Sequence, residues 1–325
     1  MIRSARTRPE PTRDSGSALV RVAGLSKRIR GQSVLDGIDL EIRSGERVAV
    51  LGLNGAGKTT LFRCLLGVTP HEGTIEVGGE TVRAVAAETR RRIGYVPQRP
   101  PRFDLTLREF IRIFAALRDI EAPSVERRLA YLGLEVERHG HKRLAALSGG
   151  MLQKAVLALA LESDCRLLLL DEPTANLDAA ARADFLSALG QVGSGTAILL
   201  ASHRLDDIET LADRQLLLHD GRLLFDGSAT DLYRRSGIGP ELALAVDPTA
   251  RDRALERLRG YEAVRTLDHD GALISVEVAP GSEHDVAARL HVDGIRARVF
   301  STGPPALPRV VDALVGSRGT SGGDR

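Results

Sequence analysis

The stretch 52-GLNGAGKT-59 sets three glycines, a lysine and a threonine in the pattern G-x-x-x-x-G-K-[ST]. Gly52, Gly55 and Gly57 can take positive φ and let the backbone close around an anion. With a strand before the turn and a helix after it, the free N–H groups and the helix dipole favour phosphate. Lys58 can then reach β- and γ-phosphates, and the Thr59 hydroxyl can ligate Mg2+. A second constellation, 167-LLLLDEP-173, ends an aliphatic run with Asp171 and Glu172. At the carboxyl end of a buried parallel strand, where ligands bind, Asp171 can hold Mg2+ through water. Glu172, the next residue, can orient or deprotonate an attacking water. A third stretch, 147-LSGGMLQK-154, places Ser148, Gly149 and Gly150 before an apolar run. It reads as a second helix start that receives phosphate.

These residues need elements to hold them. The run 47-RVAVLGL-53 reads as a buried strand leading into the glycine turn, and a helix from about Gly57 to Leu66 follows, capped by Gly67. The segment 74-TIEVGGETV-82 reads as a hairpin around Gly78-Gly79. From about 105 to 163 the pattern is helical, with a capping-box spacing at Thr106 and Glu109. Strands at 167–170 and 197–202 flank a helix near 179–190, so βαβ order predicts a parallel sheet. After about residue 236 the order becomes βαββαβ, and a last helix near 306–316 is expected to close that small unit.

Composition bounds the rest. The 325 residues allow one large domain plus a small one, and 43% hydrophobic with 27% charged residues is an ordinary globular balance. A net charge of +2 argues against a strongly basic nucleic-acid binder, so no direct nucleic-acid partner is expected. No apolar run approaches the length of a membrane span. Cys64 and Cys165 form no metal-ligand pattern and read as structural thiols. Residues 1–18 read as a flexible, polar tail.

In order and spacing, 52-GLNGAGKT-59, 95-YVPQ-98, 147-LSGGMLQK-154, 167-LLLLDEP-173, 176-NLD-178 and His203 resemble the nucleotide-binding subunits of ABC transporters. The resemblance covers residues 20–235. It implies a P-loop NTPase cassette over 19–236: a mixed-sheet core, an antiparallel β subdomain and a helical subdomain at about 99–163. A small α+β ferredoxin-like domain would follow at 237–318, then a tail at 319–325. The resemblance further implies an ATPase with ATP and Mg2+ as its cofactors. Leu53, Asn54, Ala56 and Thr60 join the glycines, Lys58 and Thr59 around the nucleotide. Gln98 senses the attacking water and joins Thr59 and Asp171 at the metal. Glu172 is the base, His203 contacts the γ-phosphate, and Asp178 belongs to a loop that crosses to a partner cassette.

The second phosphate grip then acquires a meaning. Ser148, Gly149, Gly150 and Met151 would cap the nucleotide held by another cassette, a second copy being the simplest partner. A membrane-spanning subunit would dock near 99-RPPRFDLTLREF-110, which places the chain at the cytoplasmic face of the cell membrane. Three departures stand out. Ile29 occupies the position of the aromatic residue that stacks on adenine. Met151 and Lys154 replace the first Gln and the Arg of the usual signature. The last domain carries no evident sensor motif. Met151 resembles a feature of exporters of the daunorubicin and nodulation types, of which the nitrous-oxide-reductase-maturation ATPase is a close variant, so the expected function is to power an exporter. The alternatives are an importer with a ligand-sensing C-terminal domain, and a soluble ABC ATPase acting on nucleic acid or ribosomes.

Overall fold

A computed structural model describes residues 18–82, 92–175, 177–205, 211–270 and 273–319. The tail expected over 1–18 and residues 320–325 therefore lie, apart from residue 18, outside the described residues. The chain opens with β1 (Val20–Ile29) and β2 (Gln32–Ile42), a long antiparallel hairpin. β3 (Arg47–Leu51) runs into the glycine turn, and α1 (Lys58–Leu65) leaves it. β4 (Glu72–Val77) and β5 (Glu80–Thr81) form the expected hairpin and complete an antiparallel sheet of order β2-β1-β4-β5.

A helical layer follows β6 (Ile93–Val96): α2 (Leu107–Arg118), α3 (Ala122–Tyr131), the single turn α4 (Val136–His139) and α5 (Gly149–Glu162). The capping box forms as the spacing predicts. Thr106 Oγ1 accepts the Glu109 N–H at 3.3 Å, and the Glu109 carboxylate accepts the Thr106 N–H at 2.8 Å. The Thr106 N–H, and then the Thr106 hydroxyl donating at 2.8 Å, hold the Glu109 carboxyl below its ordinary range.

β7 (Leu167–Asp171), α6 (Ala179–Gly190), β8 (Ala197–Ser202) and the hairpin of β9 (Arg214–His219) and β10 (Arg222–Gly227) complete the centre. The central sheet has the order β10-β9-β3-β8-β7-β6, parallel except for β10 at its edge. Its middle strands are aliphatic throughout because both faces are covered. Val48, Val50, Leu167 and Leu169 pack toward α1 and the antiparallel sheet. Ala49, Leu51, Leu168 and Leu170 pack toward the helices.

After α7 (Ala229–Ser236) comes the small unit: β11 (Glu241–Val246), α8 (Arg251–Arg259), β12 (Val264–Asp270), β13 (Leu273–Val278), α9 (Glu283–Val292) and β14 (Ala297–Gly303). The sequence order βαββαβ is realised as an antiparallel sheet of order β12-β13-β11-β14 with its own core. The final helix, α10 (Leu307–Gly319), departs from expectation. It does not close the small unit, and it includes residue 319, which the sequence reading assigned to a tail. Leu307, Val310, Val311 and Leu314 belong to the cassette's helical core, with Leu232 of α7 in the same cluster. Their i, i+3, i+4, i+7 spacing makes one apolar stripe, and each such side chain when fully buried contributes about 1.5–3 kcal/mol.

Arg309 on α10 reaches back to the small unit. It pairs with the buried Glu277 and lies 3.9 Å from Glu241. Arg309→Ala leaves the Glu277 carboxylate buried without that partner. The expected loss is about 1–3 kcal/mol of stability, read as a lower urea midpoint. Both thiols are buried, and burial pushes both up. Native protein should therefore show no fast reaction with Ellman's reagent, and both cysteines should react once it is unfolded.

Candidate functional site

The glycine turn delivers α1 with its first-turn amides unblocked. Gly57 caps the helix with φ 108 and offers no side-chain bond to those N–H groups. A Cβ there would also stand 2.8 Å from the Val34 carbonyl oxygen and 2.9 Å from Leu35 Cδ2, so the position requires glycine. Residues 53–60 line a cavity of about 270 Å³ together with Val34, Gln98 and Glu172. The parallel sheet thus gathers three separate stretches of chain at one strand-end edge.

Inside this cavity the charged groups are already paired. Lys58 Nζ donates to the Gly52 carbonyl at 2.7 Å and lies 3.2 Å from Glu172 Oε1. The other Glu172 oxygen, Oε2, accepts from His203 Nδ1 at 2.7 Å. Thr59 Oγ1 donates to Asp171 Oδ1 at 3.1 Å, and the Tyr95 hydroxyl faces Asp171 Oδ2 at 3.5 Å. Burial pushes the Asp171 carboxyl up, while the Thr59 hydroxyl acts against that shift. Burial, reinforced by the Asp171 charge, pushes the Tyr95 phenol up to about 12. Glu172 itself sits at φ 47, left-handed backbone that a non-glycine residue adopts at a cost of about 1–3 kcal/mol. Its N–H donates to the Ala201 carbonyl at 2.9 Å, which pins that conformation to β8.

Ile29 does not line this phosphate cavity. It ends β1 paired with Gln32 and is 43% exposed, while Val34 joins Leu53 and Ala56 as apolar residues of the cavity wall. The hairpin turn at residues 30–31 carries Val34 back over the glycine turn, its carbonyl beside Gly57. Val34 and Tyr95 were both passed over by motif reading. The signal for Tyr95 was a hydroxyl within 93-IGYV-96, a strand otherwise buried and apolar. Asn176 lies outside the described residues.

Ser148 to Met151 stand apart. Ser148 caps α5, its Oγ accepting the Met151 N–H at 3.2 Å, and Ser148 and Gly149 are exposed. None of the four lines the cavity of their own chain. Asp178 likewise caps α6 by accepting the Ala181 N–H at 2.8 Å. Beyond the cavity, α2 and α3 border a groove of about 620 Å³ that includes Ile113 and Ile120. Next to Ile113, Phe114 stacks on Phe103 and meets Phe110 at a tilt, with ring centroids 5.6 and 4.5 Å away. Phe103, Ile113 and Leu117 are exposed.

Comparison with known proteins agrees with this architecture. The family model described as ABC transporter matches residues 35–175. The Nod factor export ATP-binding protein I of Ralstonia nicotianae is 38% identical over 222 residues, 66% of this chain and 68% of that protein. The daunorubicin resistance ATP-binding protein DrrA3 of Streptomyces coeruleorubidus is 33% identical over 304 residues, 91% of this chain and 96% of that protein. A solved ATP-binding subunit of an ABC transporter superposes with a TM-score of 0.61 at 32% identity, over 67% of this chain and 93% of that one. Since the likeness to an ATP-binding protein runs through nearly the whole of both chains, this chain belongs to the ABC transporter family as an ATP-binding subunit and an ATPase.

Proposed function

We propose that two copies of this chain close around two Mg-ATP and thereby power export through a separate membrane subunit. One observation carries the dimer. Ser148 and Gly149 stand exposed at the start of a helix, yet with Gly150 they take no part in their own chain's phosphate cavity. A phosphate for that helix start comes from a second cassette. In this arrangement residues 52–60 hold the nucleotide, Glu172 is the general base, and His203 touches the γ-phosphate. Asp178 lies on the loop that faces the partner. Ile29 lies on the adenine side, and Val34 at the cavity wall adds an apolar neighbour.

The donor set suits Mg2+. Thr59 and Asp171 present oxygen atoms 3.1 Å apart, and Gln98 lines the same cavity with an amide oxygen. Hard oxygen donors with few protein ligands match an ion that keeps waters and substrate phosphates. Mg2+ would supply charge neutralisation at the phosphates, and Tyr95 and Thr59 hold the Asp171 carboxylate oriented for it.

Export rather than import is favoured because the daunorubicin-resistance relative covers 91% of this chain, small C-terminal unit included. We assign that unit to the ferredoxin-like class on its strand order. Among the described residues no helix is long and apolar enough to cross a membrane. The stretch 99–110, with its exposed Phe103, is the docking place we assign to the membrane subunit, which holds the chain at the cytoplasmic face. Sedimentation of the Glu172→Gln variant tests the dimer. With Mg-ATP it should run as a dimer, and Ser148→Arg should return it to a monomer that still binds ATP. A Glu172→Gln protein that stays monomeric when saturated with nucleotide overturns the reading.

A further inference from the structure

Gln153 lies on α5 five residues after Ser148 and is 1% exposed. Its Nε2 donates to the Pro97 carbonyl at 3.2 Å. Its Oε1 is equally buried and has no hydrogen-bond partner among the described residues. A buried amide satisfied at one end only is unfavourable, and an apolar side chain of the same length would remove the unpaired acceptor. The one bond that glutamine makes here, and an apolar side chain would not, is the one to the Pro97 carbonyl.

The Pro97 carbonyl and the Gln98 N–H belong to one planar peptide unit. Holding that oxygen fixes the plane from which Gln98 projects into the phosphate cavity. Pro97 has no N–H of its own, so its carbonyl is the one backbone handle it offers. At the other end, Gln153 and the Ser148 cap ride on a single helix, roughly 7–8 Å apart along its axis. The intervening residue Leu152 and the following Ala155 are packed in the core, so the helix moves as a rod.

We propose that Gln153 is a positioning residue that ties the signature helix to the Gln98 turn. A nucleotide engaged by Ser148 at the dimer face then adjusts Gln98 in the same chain's own cavity. The unpaired Oε1 gives the amide a free acceptor for a second position when the helical layer shifts. This step rests on the dimer reading above, and the two are separable by experiment.

The test uses the full chain with Gln153→Met, and Gln153→Leu as a second variant should one fold poorly. Thermal midpoint, ATP affinity, ATP-driven dimerisation in the Glu172→Gln background and steady-state turnover are measured on each. Expected are an equal or higher midpoint, unchanged nucleotide affinity and dimerisation, and kcat lowered roughly 10- to 100-fold with little change in KM. Gln98→Ala should lower kcat similarly, and the double variant should fall no further than either single one. Wild-type turnover in the Gln153 variants, or losses that multiply in the double variant, overturns the proposal. Failure of Glu172→Gln to dimerise with Gln153 intact instead sinks the dimer reading.

Discussion

Glu172→Gln should bind Mg-ATP and stop there. Glutamine keeps the shape and the hydrogen-bonding reach but cannot take a proton, so turnover should fall about 10²- to 10⁴-fold, the range carried by a general base. Nucleotide affinity should hold, because residues 53–60 form most of the cavity wall and are untouched. The readout is phosphate release per bound nucleotide. Turnover within threefold of wild type would exclude Glu172 as the base. The setting of this residue supports the assignment. Lys58 and His203 grip one carboxylate oxygen each, and the backbone is held at φ 47 by a bond to β8. Strain kept in place by neighbours on every side is the kind found where a side chain must be aimed.

Lys58→Ala should fail one step earlier, at binding. A charge-assisted hydrogen bond to phosphate contributes about 1.5–3 kcal/mol, so ATP affinity should weaken roughly 10- to 100-fold. Titration of a fluorescent nucleotide reads this directly. Without nucleotide, Lys58 lies 3.2 Å from Glu172. An incoming γ-phosphate competes for that ammonium and frees one oxygen of the base. The Lys58→Ala protein should therefore lose affinity for ATP far more than for adenosine. Equal losses for both ligands would place Lys58 outside the phosphate contact.

The parts of the molecule that could be read from sequence were those whose physics is local. The glycine turn, the strand ending at Asp171 and the Thr106–Glu109 cap each declare themselves within ten residues. The βαββαβ order after 236 was also legible, because alternation and run length separate its strands from its helices. What stayed hidden depends on distant partners. The stripe Leu307, Val310, Val311, Leu314 announces a buried face but not whose core it joins. Val34 joins the cavity wall because a hairpin, not spacing along the chain, brings it to the glycine turn. Nothing near Gln153 in sequence points to the Pro97 carbonyl. The φ of Glu172 likewise follows from a hydrogen bond to Ala201 on another strand.

The packing of α10 against the cassette changes the mechanics of the small unit. Its sheet leaves the cassette after α7 and returns to it through α10, and those two helices lie against each other. The return path is 304-PPA-306, whose two prolines make a stiff strut rather than a slack cord. A body hung from one flexible strand swivels without consequence. A body tied at both ends of its chain to one helix pair, with Arg309 clasped to Glu277 across the joint, turns against the α7–α10 packing. Torque applied to the small sheet is thereby delivered to the hydrophobic core of the ATPase.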